Sequence, residues 1–534
     1  MYQVPKVGLG VAIVIATFVV SALSALLGHA PTLDISSVWR DPYYRHVTQF
    51  SFYQSLLSTL LSVGFALPVA HALSRRSFIG KSLVLKLFAT TLVLPVLVGV
   101  FGLLAIYGNS GLLAQGLQQL DSKLPFSIYG LNGILLAHVF FNLPYATRLL
   151  LQSLDAIPAE QHKLCAHLGM GHWDKFRWVE WPRLRQQLPH VCGLVFMLCF
   201  TSFATVMALG GGPKSTTIEL AIYQAIKFDF DLQAGALLAI WQMMLCGVMA
   251  LMIQRLAKPI PVSSGAQNHA IVLTNDNRLS QCWDWGWIAA ALLLVLPPLM
   301  MVLASGINSQ ALSVFNDSRF WLALSASLKV AFSASLIAVV AGYAILLTSR
   351  RLRLNSRSKS ADQVELIGTI ILVTPGLVVS TGLFLLLRSM TDVFSFAFVI
   401  VVVVNALMGL PYVIKTLSQP MLHIEQQYQY LCASLGLRGW QRFKVVEWRA
   451  LKKPFAHAFA ISFMFAIGDL SAIALFGSQD FRTLPLYLFQ LLGSYQMDAA
   501  AVVSLTLLLL SVGCFTLVER LFNVHSKVGY VKPK

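Results

Sequence analysis

The chain of 534 residues is 57 % hydrophobic and only 11 % charged, against roughly 25 % charged in a soluble globular domain. So little polar surface excludes a water-facing fold of this length. The net charge of +17 does not point to nucleic acid, because the basic residues are spread over alternate loops and form no single patch.

In chain order, apolar stretches recur near the roughly 20 residues that cross a hydrocarbon core. The expected fold class is an all-α polytopic membrane protein with twelve spans. They start near Val7, Ser55, Leu83, Asn132, Pro189, Leu232, Trp285, Trp321, Val364, Phe396, Pro454 and Ala499. The first run, Val7 to Gly28, is expected to remain as a span. It is longer than a signal-peptide apolar core of about 7–15 residues, and it has a partner stretch at Trp287–Ala304. The first outer loop is expected from about Ala30 to Phe50.

Loop charge gives orientation. Arg75, Arg76, Lys81 and Lys86 follow span two, and Arg350, Arg351, Arg353, Arg357 and Lys359 follow span eight. Arg177, Arg183 and Arg185 follow span four, and Arg438, Arg442, Lys444, Arg449, Lys452 and Lys453 follow span ten. With the N-terminus inside, 30 of the 39 Lys and Arg residues lie on the cytoplasmic side, eight lie outside, and Lys329 falls within a span. Both termini are then expected to be cytoplasmic. The seven cysteines form no CxxC pair, so free thiols and no metal site are expected.

The halves repeat. Leu164-Cys165-Ala166-His167-Leu168-Gly169 returns 267 residues later as Leu431-Cys432-Ala433-Ser434-Leu435-Gly436. Both copies run on through Trp173 and Phe176, or Trp440 and Phe443, to Val179-Glu180-Trp181 and Val446-Glu447-Trp448. Ser74-Arg75-Arg76 returns as Ser349-Arg350-Arg351 at a shift of 275. Six spans per half enter the membrane the same way round, so the repeats are parallel. The expected units are a half at 1–258, a polar linker at 259–282 and a second half at 283–534.

The repeated cytoplasmic loops, about 155–187 and 420–453, carry function in this reading. Leu164, Leu168, Trp173 and Phe176 suit one or two short helices with apolar residues turned to a partner groove. These loops resemble the EAA loop of permease subunits of type I bacterial ABC importers. Gly169 and Val179, then Trp181-Pro182, keep the family spacing, as do Gly436, Val446 and Trp448. Lys163-Leu164-Cys165 and Tyr430-Leu431-Cys432 stand where the family has Glu-Ala-Ala, and Glu160 is a neighbouring acid in the first copy. Arg449 replaces the final proline.

The resemblance implies a bacterial inner-membrane permease without cofactor. It implies two copies of a separate ATP-binding subunit on the loops and a periplasmic substrate-binding protein outside. Glu160, Leu164, Ala166, Gly169, Trp173, Phe176, Leu431, Ala433, Gly436, Trp440 and Phe443 would then couple ATP closure to alternating access. The chain has no Gly-x-x-x-x-Gly-Lys-[Ser/Thr] phosphate loop, so it is expected not to be the ATPase. The run Gly169–Pro182 is most similar to the thiamine and thiamine pyrophosphate group, with ferric-iron permeases as the alternative. An ion-coupled secondary transporter ranks lower, because chiefly Asp469 is an ionisable group within a span.

An ionised carboxylate at a span centre costs roughly 2.5–3.5 kcal/mol, so Asp469 should face the bundle or water. Two readings stay open for it. One is a pathway residue drawing a cationic substrate; the other is a cap or hydrogen bond near Gly468. Ser202 is its counterpart in the first half. Lys329 reads as snorkelling to the outer headgroups.

Overall fold

The structure, a computed structural model, describes residues 6–29, 35–122, 125–256, 278–369, 371, 374–388, 393–437 and 439–523. Among them no strand occurs and nearly every residue is helical, as expected where backbone polar groups must be satisfied within each segment. Most of the expected linker lies outside the described residues. Residues 278–282, read as its end, are instead the first turns of a long helix.

In the first half the helices are α1 (Val7–His29), α2 (Pro42–Arg75), α3 (Lys81–Val93), α4 (Val96–Tyr107), α5 (Leu131–Asp155), α6 (Ala159–His167), α7 (Trp181–Phe200), α8 (Phe203–Leu209), α9 (Ile218–Lys227) and α10 (Leu232–Leu256). In the second they are α11 (Arg278–Ser305), α12 (Ser318–Leu354), α13 (Ser358–Thr369), α14 (Gly376–Arg388), α15 (Ala397–Ser434), α16 (Trp448–Gly468), α17 (Ser471–Phe476), α18 (Leu484–Gly493) and α19 (Met497–Asn523).

Among the described residues ten stretches are long and apolar enough to cross a membrane, and an eleventh is α7 with its lead-in, if it is counted together with α8, from which it is bent by 52°. The stretch expected to begin at Val364 is two short helices, α13 and α14, with Pro375 immediately before α14. Span three breaks in the same way, at Leu94-Pro95 between α3 and α4. Proline removes a backbone donor and biases its predecessor away from helix, which explains both breaks. The outer loop expected up to Phe50 is shorter, because Asp41 caps α2 by accepting from the Tyr43 amide at 2.7 Å.

Each half is built on a three-helix core: α2, α5 and α7 in the first, α12, α15 and α16 in the second. The first helix of each half leaves its own core. Helix α1 packs on α12, α13 and α14, while α11 packs on α2 and α4. Small residues permit these crossings. A Cβ on Gly382 of α14 would lie 2.4 Å from the Ala22 carbonyl oxygen of α1. One on Gly102 of α4 would lie 2.5 Å from the Pro298 carbonyl oxygen of α11. The two halves are thus interlocked.

Candidate coupling surface and its buried ion pairs

The two repeated loops sit at the face where the basic clusters gather. In the first copy Pro158 ends the run from α5, and α6 begins afresh. In the second, Glu425 occupies the position of Pro158, and α15 runs unbroken for 38 residues from the span into the loop. The second loop therefore opens as a continuation of the span, where a separate short helix was expected.

Both helices end in the same stop. Gly169 and Gly436 have φ of 63° and 66°. The Met170 amide donates to Cys165 O at 3.0 Å and the Leu437 amide to Cys432 O at 2.9 Å. Gly169 and Gly436 donate to Ala166 O and Ala433 O, each at 3.2 Å. This is the glycine stop with paired backward hydrogen bonds that satisfies the last carbonyls of a helix. A Cβ at either glycine would meet nothing within 4 Å, so these positions demand glycine by conformation alone. Gly169→Val combined with Gly436→Val is expected to destabilise each stop by about 1–2 kcal/mol. Membrane insertion should stay normal while substrate-stimulated ATP hydrolysis by the assembled transporter falls. Normal uptake in the double variant would count against the loops as couplers.

After the stop, His172–Lys175 and Gly439–Arg442 start a new helix that widens into a π-helical turn, Phe176–Glu180 and Phe443–Glu447. Such turns recur at functional sites. The turn sends one side of each segment outward and the other inward. Outward stand Leu164, Leu168 and Trp173, at 58, 67 and 70 % exposure, and Leu431, Leu435 and Trp440, at 53, 63 and 74 %. Glu160, Ala166 and Ala433 are exposed beside them. Phe176 and Phe443 are half-buried. Each phenyl ring lies between two tryptophans of its loop, Trp173 and Trp181 or Trp440 and Trp448, at centroid distances of 5.1–6.0 Å.

Inward stand Glu180 and Glu447, both buried. Glu180 lies 2.9 Å from His71 Nε2 of α2 and 3.4 Å from Lys175 Nζ. Glu447 accepts from Arg350 of α12 at 2.6 Å and from the Tyr343 hydroxyl, and lies 3.1 Å from Arg442 Nε. Glu425 gathers Arg350 at 3.2 Å, Arg351 at 3.1 Å and Arg442. His71 also meets the Phe176 ring at 5.2 Å, and Tyr343 the Phe443 ring at 5.6 Å. One glutamate and one phenylalanine of each loop therefore contact the same span, α2 in the first half and α12 in the second. Beside the first loop, burial and then Lys175 push the His162 imidazole below its ordinary range, and Glu180 pulls it back.

These carboxylates carry no role in the sequence reading. Glu180 and Glu447 were visible there only as the constant middle of Val-Glu-Trp. The Arg-Arg pairs read as topology signals, yet Arg350 is 5 % exposed and Arg76 reaches Asp284 of α11 at 2.6 Å.

Ser202 and Asp469 lie far from the loops, at the corresponding breaks α7–α8 and α16–α17. The structure puts them in matching places without bringing them together. Ser202 donates to Cys199 O at 2.7 Å. Asp469 accepts from the Ser471 and Ala472 amides at 3.0 and 3.2 Å, the Ser471 hydroxyl at 2.7 Å and Asn405 at 3.3 Å. It thus caps α17 and remains partly exposed. Its neighbour Gly468 approaches the first half, where an added Cβ would lie 3.0 Å from Pro95. Lys329 is exposed. No described group of His, Cys, Asp and Glu is arranged to hold a metal.

An interlocked, duplicated helical bundle with two matched, exposed apolar loop faces on one side is the architecture of a membrane transport permease. Residues 334–527 match the family described as the binding-protein-dependent transport system inner membrane component. The thiamine transport system permease protein ThiP of Escherichia coli is 48 % identical over 516 residues, covering 96 % of both chains. That of Haemophilus influenzae is 41 % identical over 503 residues, covering 93 % of both. That of Brucella abortus is 38 % identical over 481 residues, covering 90 % of this chain and 88 % of its own. The chain belongs to the family of thiamine transport system permease proteins, multi-pass proteins of the inner membrane.

Proposed function

We propose that this chain is the permease subunit of an ATP-driven thiamine importer, carrying thiamine and its phosphates by alternating access. The observation that carries the reading is whole-chain identity of 48 % to a thiamine permease over 96 % of both sequences. The halves 1–258 and 283–534 each supply six spans, with the broken pair α13–α14 counted as one, and both termini lie in the cytoplasm. The exposed faces around Trp173 and Trp440 each seat one copy of a separate ATP-binding subunit. A periplasmic binding protein delivers substrate at the opposite face. ATP is hydrolysed on the partner, in keeping with the missing phosphate loop.

Asp469 fits both parts of its sequence reading. Its side chain fixes the break in the span, and its partly exposed carboxylate follows Gly468, which approaches Pro95 of the first half, so it offers negative charge near where the halves meet. A cationic thiazolium ring suits that charge. Asp469→Asn keeps a carbonyl acceptor for the cap while deleting the charge. It is expected to leave thermal stability within about 1 kcal/mol and to lower thiamine uptake about tenfold, as loss of roughly 1.4 kcal/mol would.

The test is growth rescue and labelled uptake in a thiamine-requiring strain lacking its own permease. Thiamine accumulation dependent on ATP and on the two partner proteins is the expected result. Accumulation of ferric iron without thiamine, or uptake by the chain alone under an ion gradient, would overturn the reading. Uptake unchanged by Asp469→Asn would remove only the pathway role.

A further inference from the structure

The end of the bundle remote from the repeated loops holds a bond between the halves that the repeat does not duplicate. Helix α2 marks the direction. Near its last turn His71 meets Glu180 of the first loop. In its first turn the Tyr43 hydroxyl lies 3.4 Å from Gln224 Oε1 of α9, roughly 40 Å of helix away. Three residues after Gln224, α9 ends at Lys227. The Lys227 ammonium donates to the carbonyl oxygens of Leu475 and Gly477, each at 3.2 Å. These close the end of α17, in the other half. The last carbonyls of a helix find no partner within it, and a cation there complements the helix dipole. Asp469 caps the opposite end of α17. One short helix is thus held by an acid of its own half at its start and by a base of the other half at its end.

The same corner is built in the other half with a glycine in the lysine position. Helices α9 and α18 are counterparts, each tied at its first residue to a serine. The Ile218 amide donates to Ser51 Oγ of α2 at 3.0 Å, and the Leu484 amide to Ser327 Oγ of α12 at 2.7 Å. In that register Lys227 corresponds to Gly493, which has no side chain to offer. Helices α8 and α17 are counterparts too. The Gly210 amide closes α8 on Val206 O and the Gly477 amide closes α17 on Ile473 O, each at 2.7 Å. At the end of α8 the Leu209 carbonyl accepts from the Gly130 amide at 2.7 Å, within the first half. The fold therefore completes one of these corners without a lysine from the other half.

A contact that the corner does not require, made across the halves by a flexible four-carbon stem, suits a bond that is made and broken. Lys227 and Gly477 are both partly exposed, so water can serve the ammonium and the carbonyl once they part. We propose that Lys227 is a latch between the halves: bonded to α17 it holds the end remote from the loops closed, and it lets go when that end opens. The latch rests on the alternating-access reading above. Its grip is on the helix that Asp469 begins, so release leaves that carboxylate and its helix to move with the second half.

The test is a distance measurement between spin labels at Asp229→Cys and Gln479→Cys, two exposed positions on either side of the bond, in the full chain in lipid nanodiscs. Cys192, Cys282 and Cys514, the cysteines that are not buried, are replaced by alanine. Neither thiamine nor a partner protein is present, so the outcome is separate from the thiamine reading. The chain with Lys227 should give one short distance. Lys227→Met, which keeps the stem and loses the donor, should raise the ratio of long to short distances about tenfold. Lys227→Arg, which keeps a donor, should restore the short distance. An unchanged distribution in Lys227→Met would overturn the latch. If that variant does not fold, Gly493→Lys decides. An added Cβ at Gly493 meets nothing within 4 Å, and the carbonyls of Ala208 and Gly210 hold the positions on α8 that Leu475 and Gly477 hold on α17. A second latch there should slow ATP hydrolysis by the assembled transporter, and hydrolysis at the unaltered rate would overturn the proposal.

Discussion

Glu425→Leu is expected to destabilise the protein by about 3–5 kcal/mol, the cost of removing one partner from a buried ion pair. Glu425 is fully buried, accepts from Arg442 and is ion-paired with Arg350 and Arg351. Without it, Arg350 and Arg442 are left with Glu447, and Arg351 loses one buried carboxylate. Glu425→Gln keeps the shape and one acceptor and should cost less. The first half is a built-in control, since Pro158 stands in the matching position and, among the described residues, Glu180 pairs with His71 and Lys175. Heat-induced loss of the monodisperse peak in detergent measures both. A Glu425→Leu protein as stable as the unaltered one would show that the three arginines are solvated well enough to need no carboxylate.

The second large effect concerns binding with the fold left intact. Trp173 and Trp440 are 70 and 74 % exposed in the isolated chain, so truncating them removes little buried area. At a docked interface, tryptophans of this kind cost about 2 kcal/mol or more each when cut to alanine, near thirtyfold in affinity. Trp173→Ala with Trp440→Ala should therefore lose the ATP-binding subunit on co-purification, while each single variant keeps one docking site and weakened transport. The unfolding temperature of the chain alone should scarcely move. A double variant that still retains both ATP-binding subunits and couples hydrolysis to uptake would place the contact elsewhere.

The same loops show how far sequence reaches. Periodicity and spacing located the repeated Gly and Trp-x-x-Phe because those features are local. A left-handed stop needs glycine at one position, and an exposed aromatic pair needs only helical spacing. The long apolar stretches were equally legible, since length and hydropathy are sums over neighbours, and ten of them are long apolar helices among the described residues. The breaks in spans three and nine could have been read from Pro95 and Pro375. The ion-pair cluster could not: Glu425, Glu447 and Arg350 are separated by 22 to 97 residues. Their charges looked like ordinary loop polarity until packing removed their water. The repeated glutamate inside Val-Glu-Trp was the one available signal.

The sequence by itself determined an all-helical membrane protein, a tandem duplication and two repeated loops with apolar residues. Each follows from hydropathy, internal similarity or local backbone preference, which the chain carries without reference to its fold. Only the tertiary structure decided that α1 and α11 exchange places, that Glu180 and Glu447 turn inward, and that Asp469 caps a broken span. Helices of equal apolarity have no hydropathic preference among neighbours in lipid. The choice falls to close fits such as Ala22 against Gly382 and Pro298 against Gly102, and to charges that find partners only once the spans are assembled.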